Sequence, residues 1–301
     1  MQNYLIFIVG PTAVGKTALS VDLAELYKSE IISCDSRQIF KELSIGTAVP
    51  EKSILDRVKH HFIQTVSIHA YFNAYMYEVQ ALEIANDLFK SNKMVFMTGG
   101  SGLYVDAILN GIDDIPTIDP EVRNKLEERF RNEGLESLRL ELKRKDPDYY
   151  AAVDLKNPKR ILKALEVSVM TGKPYSGFLT KKKKERNFNN ILIGLDLDRN
   201  ELHLRINNRV DQMIQNGLLD EAKRFYEFKH INSLNTVGYK ELFMHFDGQI
   251  SLEEAVELIK RNTRRYARRQ ISWFKRYKDL IWFRPDNITE IEKYIEKSVD
   301  V

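Results

Sequence analysis

Residues 10–17 read GPTAVGKT and satisfy the pattern G-x-x-x-x-G-K-[ST] at every position. Each part has a physical purpose. Gly10 and Gly15 allow backbone conformations that turn successive N–H groups inward as an anion nest. Pro11, Thr12, Ala13 and Val14 supply the rest of the loop. Lys16 has the reach to meet outer phosphates, and the Thr17 hydroxyl is of the type that ligates Mg²⁺. The loop follows a strand-like run, YLIFIV, and precedes a helical pattern, so a positive helix end also points at the anion. A diphosphate or triphosphate is the expected ligand. The loop alone does not say which group is transferred.

Two further segments add reactive groups. CDSRQIF places Asp35, Ser36, Arg37 and Gln38 at the end of a second apolar run. In a parallel sheet that end lies on the same edge as the phosphate loop, so Asp35 is a candidate general base or Mg²⁺-associated carboxylate. Arg37 and Gln38 are suited to reading a base edge, because both can form bidentate hydrogen bonds. TGGSGLY, at residues 98–104, ends a third run with three glycines and the Ser101 hydroxyl. Farther along, Arg205 and Arg209 stand four residues apart in RINNR, on one helix face and opposite Leu202, Ile206, Val210 and Met213.

These groups need a scaffold, and the sequence describes one. Five short apolar runs read as buried strands: Tyr4–Val9 and residues 30–34, 94–98, 190–197 and 279–283. Helical patterns at residues 17–27 and 74–90 alternate with them. This predicts an α/β fold: a P-loop NTPase-like, doubly wound parallel sheet. Between the third and fourth strands the pattern changes. A turn-rich DDIPTIDP linker leads to helices at 121–132, 135–145 and 158–171 with no strand among them. The core is therefore expected at 1–112 and 190–301, with a helical insertion at 113–189. Asp198 with Glu201 resembles a capping box opening a helix to Gln215, and Ser251 with Glu254 opens another to about Arg276.

A length of 301 residues and a hydrophobic fraction of 43% suit a globular chain with a full core. One cysteine, Cys34, leaves no intramolecular disulfide and fits a reducing compartment. Neither a signal peptide nor an apolar stretch of about 20 residues is present. A cytoplasmic, membrane-free protein is expected, acting as a monomer. Net charge is only +3, but Lys and Arg gather late in the chain. Residues 261–278 hold eight of them and no acid, with Tyr266, Trp273, Phe274 and Tyr277 interleaved. On a helix, Leu252, Val256, Ile259, Thr263, Tyr266 or Ala267, and Ile271 would face inward. Arg261, Arg265, Arg268 and Arg269 would then be available to nucleic-acid phosphates.

GPTAVGKT, DSRQIF, IGTAVP, TGGSGLYVDAIL, NPKRILKALEV, TVGYKE and RRYARRQISWFKR occur in this order across nearly the whole chain. Together they resemble the bacterial tRNA dimethylallyltransferases. The resemblance implies transfer of the dimethylallyl group of dimethylallyl diphosphate to N6 of an adenosine beside the tRNA anticodon, with Mg²⁺ and release of diphosphate. It makes Asp35 the general base and Arg209 a functional arginine. It implies tRNA contact at Asp35, Ser36, Arg37, Gln38, Ser101, Arg123, Lys159, Arg160, Ile161, Leu162 and Lys163, partners of an anticodon stem-loop. Ser101 stands where Thr is more common and keeps the hydroxyl. Lys159 and Lys163 stand where Gln and Arg are common, and lose bidentate recognition.

Other readings keep some of these features. A small-molecule P-loop kinase shares residues 10–17 without needing the basic aromatic helix. An adenylate isopentenyltransferase shares the core motifs without the insertion or a large positive surface. A non-enzymatic RNA-binding module leaves Asp35 beside a P-loop without purpose. DDIPTID resembles the aspartate-rich motif of prenyl-chain synthases but lies in a Pro-containing linker, without a second copy. His60, His61 and His69 lack a Cys or carboxylate cluster and read as packing or capping residues. Cys34, among apolar neighbours, reads as buried. The Lys181, Lys182, Lys183, Lys184 run brushes phosphates or flanks a loop.

Overall fold

Six successive apolar side chains in YLIFIV leave no face for water, and the first strand accordingly becomes an interior one. The computed structural model describes residues 2–180 and 183–299. Lys181 and Lys182 of the lysine run lie outside the described residues. The chain divides into two compact units, Met1–Leu109 with Glu185–Val301, and Asn110–Lys184.

The first unit opens with β1 (Tyr4–Val9), α1 (Lys16–Leu26), β2 (Ile31–Ser33), α2 (Lys52–Leu55), β3 (His60–His61), α3 (Ala74–Leu88), β4 (Met94–Gly99) and α4 (Gly102–Asn110). The second unit carries α5 (Pro120–Lys145), α6 (Pro147–Ala152) and α7 (Pro158–Thr171). The chain then returns to the first unit with β5 (Asn189–Leu195), α8 (Arg199–Gln215), α9 (Leu218–Arg224) and α10 (Tyr239–Phe246). It ends with α11 (Leu252–Phe274), β6 (Ile281–Phe283) and α12 (Ile288–Val299).

The six strands form one sheet in the order β3-β2-β4-β1-β5-β6, and every pairing is parallel. Ile6 of β1 stands between Phe96 of β4 and Ile191 of β5. Burying one such side chain contributes about 1.5–3 kcal/mol. The α/β expectation holds. The edge strand β3 is an addition: two histidines offer no periodicity by which a strand is recognised. His61 is held there by Glu30 across 2.6 Å.

In the second unit, Leu138, Leu142, Ile161, Ala164, Leu165 and Val167 make a separate apolar core. Gly134, with φ 78° and ψ −175°, breaks α5 between the two helices expected at 121–132 and 135–145. Two of the aspartates of DDIPTID serve local structural roles. Asp119 caps α5 through the Glu121 N–H, and Asp113 accepts from the Thr180 N–H and hydroxyl.

Candidate active site

The carboxyl ends of β1, β2 and β4 bring residues 10–17, 35–38 and 99–102 to one edge of the sheet. Close packing of the strands explains two of the glycines. A Cβ on Gly10 would stand 2.5 Å from the Leu195 carbonyl oxygen, and one on Gly99 would stand 2.5 Å from that of Cys34. Ala13 adopts the left-handed region at φ 65°, a cost of about 1–2 kcal/mol for a non-glycine residue. The backbone of the loop is thereby strained into a nest. Among the described residues, the N–H groups of Ala13, Val14 and Gly15 meet no protein acceptor.

Two cations converge on this loop. Lys16 Nζ donates to the carbonyls of Gly10 (3.1 Å) and Pro11 (2.8 Å). Burial pulls its ammonium down to about 8, against the Asp35 charge and with the repulsion of Arg209. Arg209, on α8, lies 3.5 Å from the Thr12 hydroxyl, a neutral group and its one hydrogen-bond partner among the described residues. Burial lowers its proton affinity too. Arg205, more exposed, pairs with Glu201 at 2.8 Å, and its guanidinium also lies beside the loop, 4.0 Å from where a Cβ on Gly15 would stand. Both arginines of RINNR thus stand at the loop, Arg205 held by an acid and Arg209 against a neutral hydroxyl. Two half-buried cations beside unpaired amides make an anion site.

Asp35 Oδ1 accepts from the Arg37 N–H (2.8 Å) and the Gln38 N–H (3.3 Å), an Asx turn that fixes the carboxylate. Oδ2 makes no hydrogen bond among the described residues. Ser101 Oγ accepts from the Ser36 N–H at 2.9 Å and donates to Ser36 Oγ at 3.0 Å, tying the second loop to the third. The side chains of Arg37 and Gln38 also brace loops. Arg37 donates to the carbonyls of Asn232 and Ser233, and Gln38 to those of Thr47 and Ala48. The tasks expected of these two as free base-reading groups are thus shared with holding the rim in place. Cys34 is fully buried, and burial raises its thiol far above the ordinary range.

Sequence reasoning missed two residues that shape this edge, Glu221 and Gln270. Glu221 of α9, buried, accepts the N–H groups of Ser44, Ile45 and Gly46 and the Tyr239 hydroxyl. IGTAVP is thus folded around one carboxylate. Gln270 of α11 accepts the Thr12 N–H at 2.9 Å and donates to the Gly100 carbonyl at 2.9 Å. Its signal was available: Gln270 lies three residues after Ala267 and four before Phe274, a polar side chain on the buried stripe. The buried positions of α11 are Ala255, Ile259, Ala267, Gln270 and Phe274. Tyr266, half-buried on the same helix, lies near the Asp35 and Arg37 charges.

The opposite face of α11 exposes Arg261, Arg265, Arg268 and Arg269. A cleft of about 620 Å³ runs between it and the start of α8, lined by Arg199, Arg264, Arg265 and Arg268, with Asp196 its one acid. In the second unit, Lys159 and Arg160 are exposed at the start of α7, and Lys163 is half-buried. Ile161 is a correction: its side chain is fully buried in the insertion core, so it offers no surface to RNA. Leu162 packs against the same core. Arg123 grips the buried Glu166 through two nitrogens, at 2.9 and 3.2 Å, which joins α5 to α7.

No cluster of three metal-ligating residues occurs among the described residues, the histidines included. A magnesium ion at a phosphate site takes only one or two protein oxygens, with phosphate and water supplying the rest. The Thr17 hydroxyl makes no hydrogen bond among the described residues, and the free oxygen of Asp35 lies on the same edge. That donor set fits.

A family model described as IPP transferase matches residues 38–277. A curated relative, tRNA dimethylallyltransferase 1 of Phocaeicola vulgatus, is 52% identical over 295 residues, covering 98% of each chain. The crystal structure of the full-length tRNA isopentenylpyrophosphate transferase from Bacillus halodurans superposes with a TM-score of 0.72 at 35% identity, covering 99% of this chain and 97% of that one. A eukaryotic dimethylallyltransferase acting on tRNA shares the fold, with a TM-score of 0.79 at 24% identity, over 99% of this chain and 77% of that one. Among the described residues, no helix is long and apolar enough to cross a membrane.

Proposed function

The chain belongs to the IPP transferase family, and from that membership we propose that it transfers the dimethylallyl group of dimethylallyl diphosphate to N6 of the adenosine adjacent to the tRNA anticodon, in the cytoplasm. The observation that carries the chemistry is the pairing of opposite charges at one sheet edge. Lys16 and Arg209 gather at the phosphate loop, and Asp35 stands beside them with one oxygen free.

The allylic C1–O bond breaks, and the diphosphate leaves with the electron pair. The carbocation that develops is delocalised over the allyl group, so neutralising the leaving group is the main task. The loop amides, Lys16 and Arg209 do this by preorganised electrostatics, and each such donor contributes about 3–4 kcal/mol. The adenine amine then forms the N6–C1 bond. Its lone pair is drawn into the ring, so a base must take the N6 proton, and Asp35 Oδ2 is the acceptor. The target base must leave its stack to reach this edge, at a cost of a few kcal/mol. The Thr17 hydroxyl would hold a Mg²⁺ ion, which when bound would supply further positive charge for the departing diphosphate.

The exposed arginines of α11 are the first-unit surface for the RNA backbone, and Lys159, Arg160 and Lys163 of α7 are that of the second unit. A kinase would have no use for the first surface, and an adenylate isopentenyltransferase would not need the insertion. The test is incubation of the purified protein with radiolabelled dimethylallyl diphosphate and either tRNA or AMP. Label should enter tRNA at the adenosine beside the anticodon. Transfer to AMP alone, or phosphoryl transfer from ATP to a small molecule, would overturn the reading.

A further inference from the structure

The helix α11 has two working faces. One exposes Arg265, Arg268 and Arg269. The other buries Gln270, whose side chain is only 5% exposed, between two loops of the active site. Its carboxamide accepts from the Thr12 N–H of the phosphate loop and donates to the Gly100 carbonyl of the loop after β4, both at 2.9 Å. Only a group with a donor and an acceptor on one rigid plane makes both bonds. The neighbouring loop is shaped to admit it, since a Cβ on Gly100 would lie 2.0 Å from Gln270 Nε2. Gly100 has no left-handed φ, so its lack of a side chain answers to Gln270 rather than to the backbone.

We propose that Gln270 is a positioning residue: it sets the phosphate loop against the loop after β4, and links both to the helix that docks RNA. The inference rests on the proposed tRNA reading for the identity of the docked partner. Thr12 is also the residue that Arg209 meets, so the Gln270 amide fixes the segment on which an anion-binding cation rests. Arg268 and Arg269 immediately precede Gln270 in the same helix. Any adjustment of the helix on RNA docking is passed to Thr12 and Gly100 through one side chain. By reciprocity, RNA must then alter diphosphate affinity by the factor with which diphosphate alters RNA affinity.

The experiment compares wild type with Gln270→Met, which keeps length and apolar bulk, and Gln270→Glu, which keeps the acceptor for Thr12 but loses the donor to Gly100. Inorganic diphosphate is titrated calorimetrically with and without a saturating anticodon stem-loop RNA, beside melting temperature, RNA affinity and transfer kinetics. In wild type the RNA should change the diphosphate Kd by about fivefold or more, and in Gln270→Met by less than about twofold. The kcat/KM for dimethylallyl diphosphate should fall by about 10²-fold in Gln270→Met, and less in Gln270→Glu, with RNA affinity held. Should Gln270→Met fail to fold, Gly100→Ala, which displaces the amide, carries the same measurements. An equal Kd ratio in wild type and variant, or none in wild type, overturns the proposal, as does unchanged kcat/KM. A wild type that binds diphosphate but modifies no tRNA would instead sink the functional reading, leaving the diphosphate titrations to judge Gln270.

Discussion

The guanidinium of Arg209 reaches across to the Thr12 hydroxyl, 3.5 Å away and 197 residues earlier in the chain. The contact places a half-buried cation against the phosphate loop, with no acid paired to it among the described residues. A charge so placed destabilises the ligand-free protein and stabilises the anion that enters. We predict that Arg209→Met lowers kcat/KM for dimethylallyl diphosphate by about 10²–10³-fold, the cost of removing one preorganised donor. The ligand-free melting temperature should stay level or rise, as expected where function and stability compete. Turnover within twofold of wild type would return Arg209 to a structural role.

Lys16 makes the same argument in terms of pH. Burial pulls its ammonium down to about 8, and only the protonated form attracts diphosphate. The advantage of wild type over Lys16→Met in diphosphate Kd should hold below pH 8 and shrink by up to about tenfold per pH unit above it. The stability effect has the opposite sign. Folding lowers this pKa from 10.5, so the charged form penalises the fold below about 8, and the penalty fades between 8 and 10.5. Ligand-free Lys16→Met should therefore melt higher than wild type at pH 7, with the gap closing by pH 10. A constant gap in both measurements would mean that Lys16 does not titrate here.

Asp35→Asn keeps the acceptor that receives the Arg37 and Gln38 N–H groups, so the turn survives. It removes the base. Single-turnover transfer should fall by about 10²–10⁴-fold, while RNA and diphosphate affinities change little. Transfer within twofold of wild type, with chemistry rate-limiting, would rule out Asp35 as the base. A loss restored by excess Mg²⁺ would assign it to the metal instead.

For Thr17→Ala, the Mg²⁺ concentration at half-maximal turnover should rise by about 10-fold or more, with metal-free diphosphate binding unchanged. An unaltered Mg²⁺ dependence would place the ion elsewhere.

Replacing Arg265 and Arg268 by Ala removes two exposed cations from the face of α11. The log–log salt dependence of tRNA binding should flatten by about one unit per lost phosphate contact, with diphosphate affinity nearly constant. An unchanged slope would show a merely solvated face.

Much of this was legible in the order of residues, for a local reason. A nest, an Asx turn and a helix start are made by neighbours in the chain. Residues 10–17, the place of Asp35 at a strand end, and the caps at Asp198 and Ser251 could therefore be read directly. Continuous apolar runs likewise marked the interior strands, because a strand covered on both faces has no polar side to show. What the sequence could not fix were pairings made only when distant elements pack. Nothing local distinguishes Arg209 from Arg205, four residues apart; their different settings follow from the packing of α8, which sets Arg209 against Thr12 and leaves Arg205 more exposed and paired with Glu201. Nor does Glu221 announce that it will gather three amides some 175–177 residues earlier. Gln270 meets Thr12 across 258 residues, a contact that exists because the sheet order and the lie of α11 bring them together. Chain connectivity decides which groups are present at the site; only the packed fold decides which of them face one another.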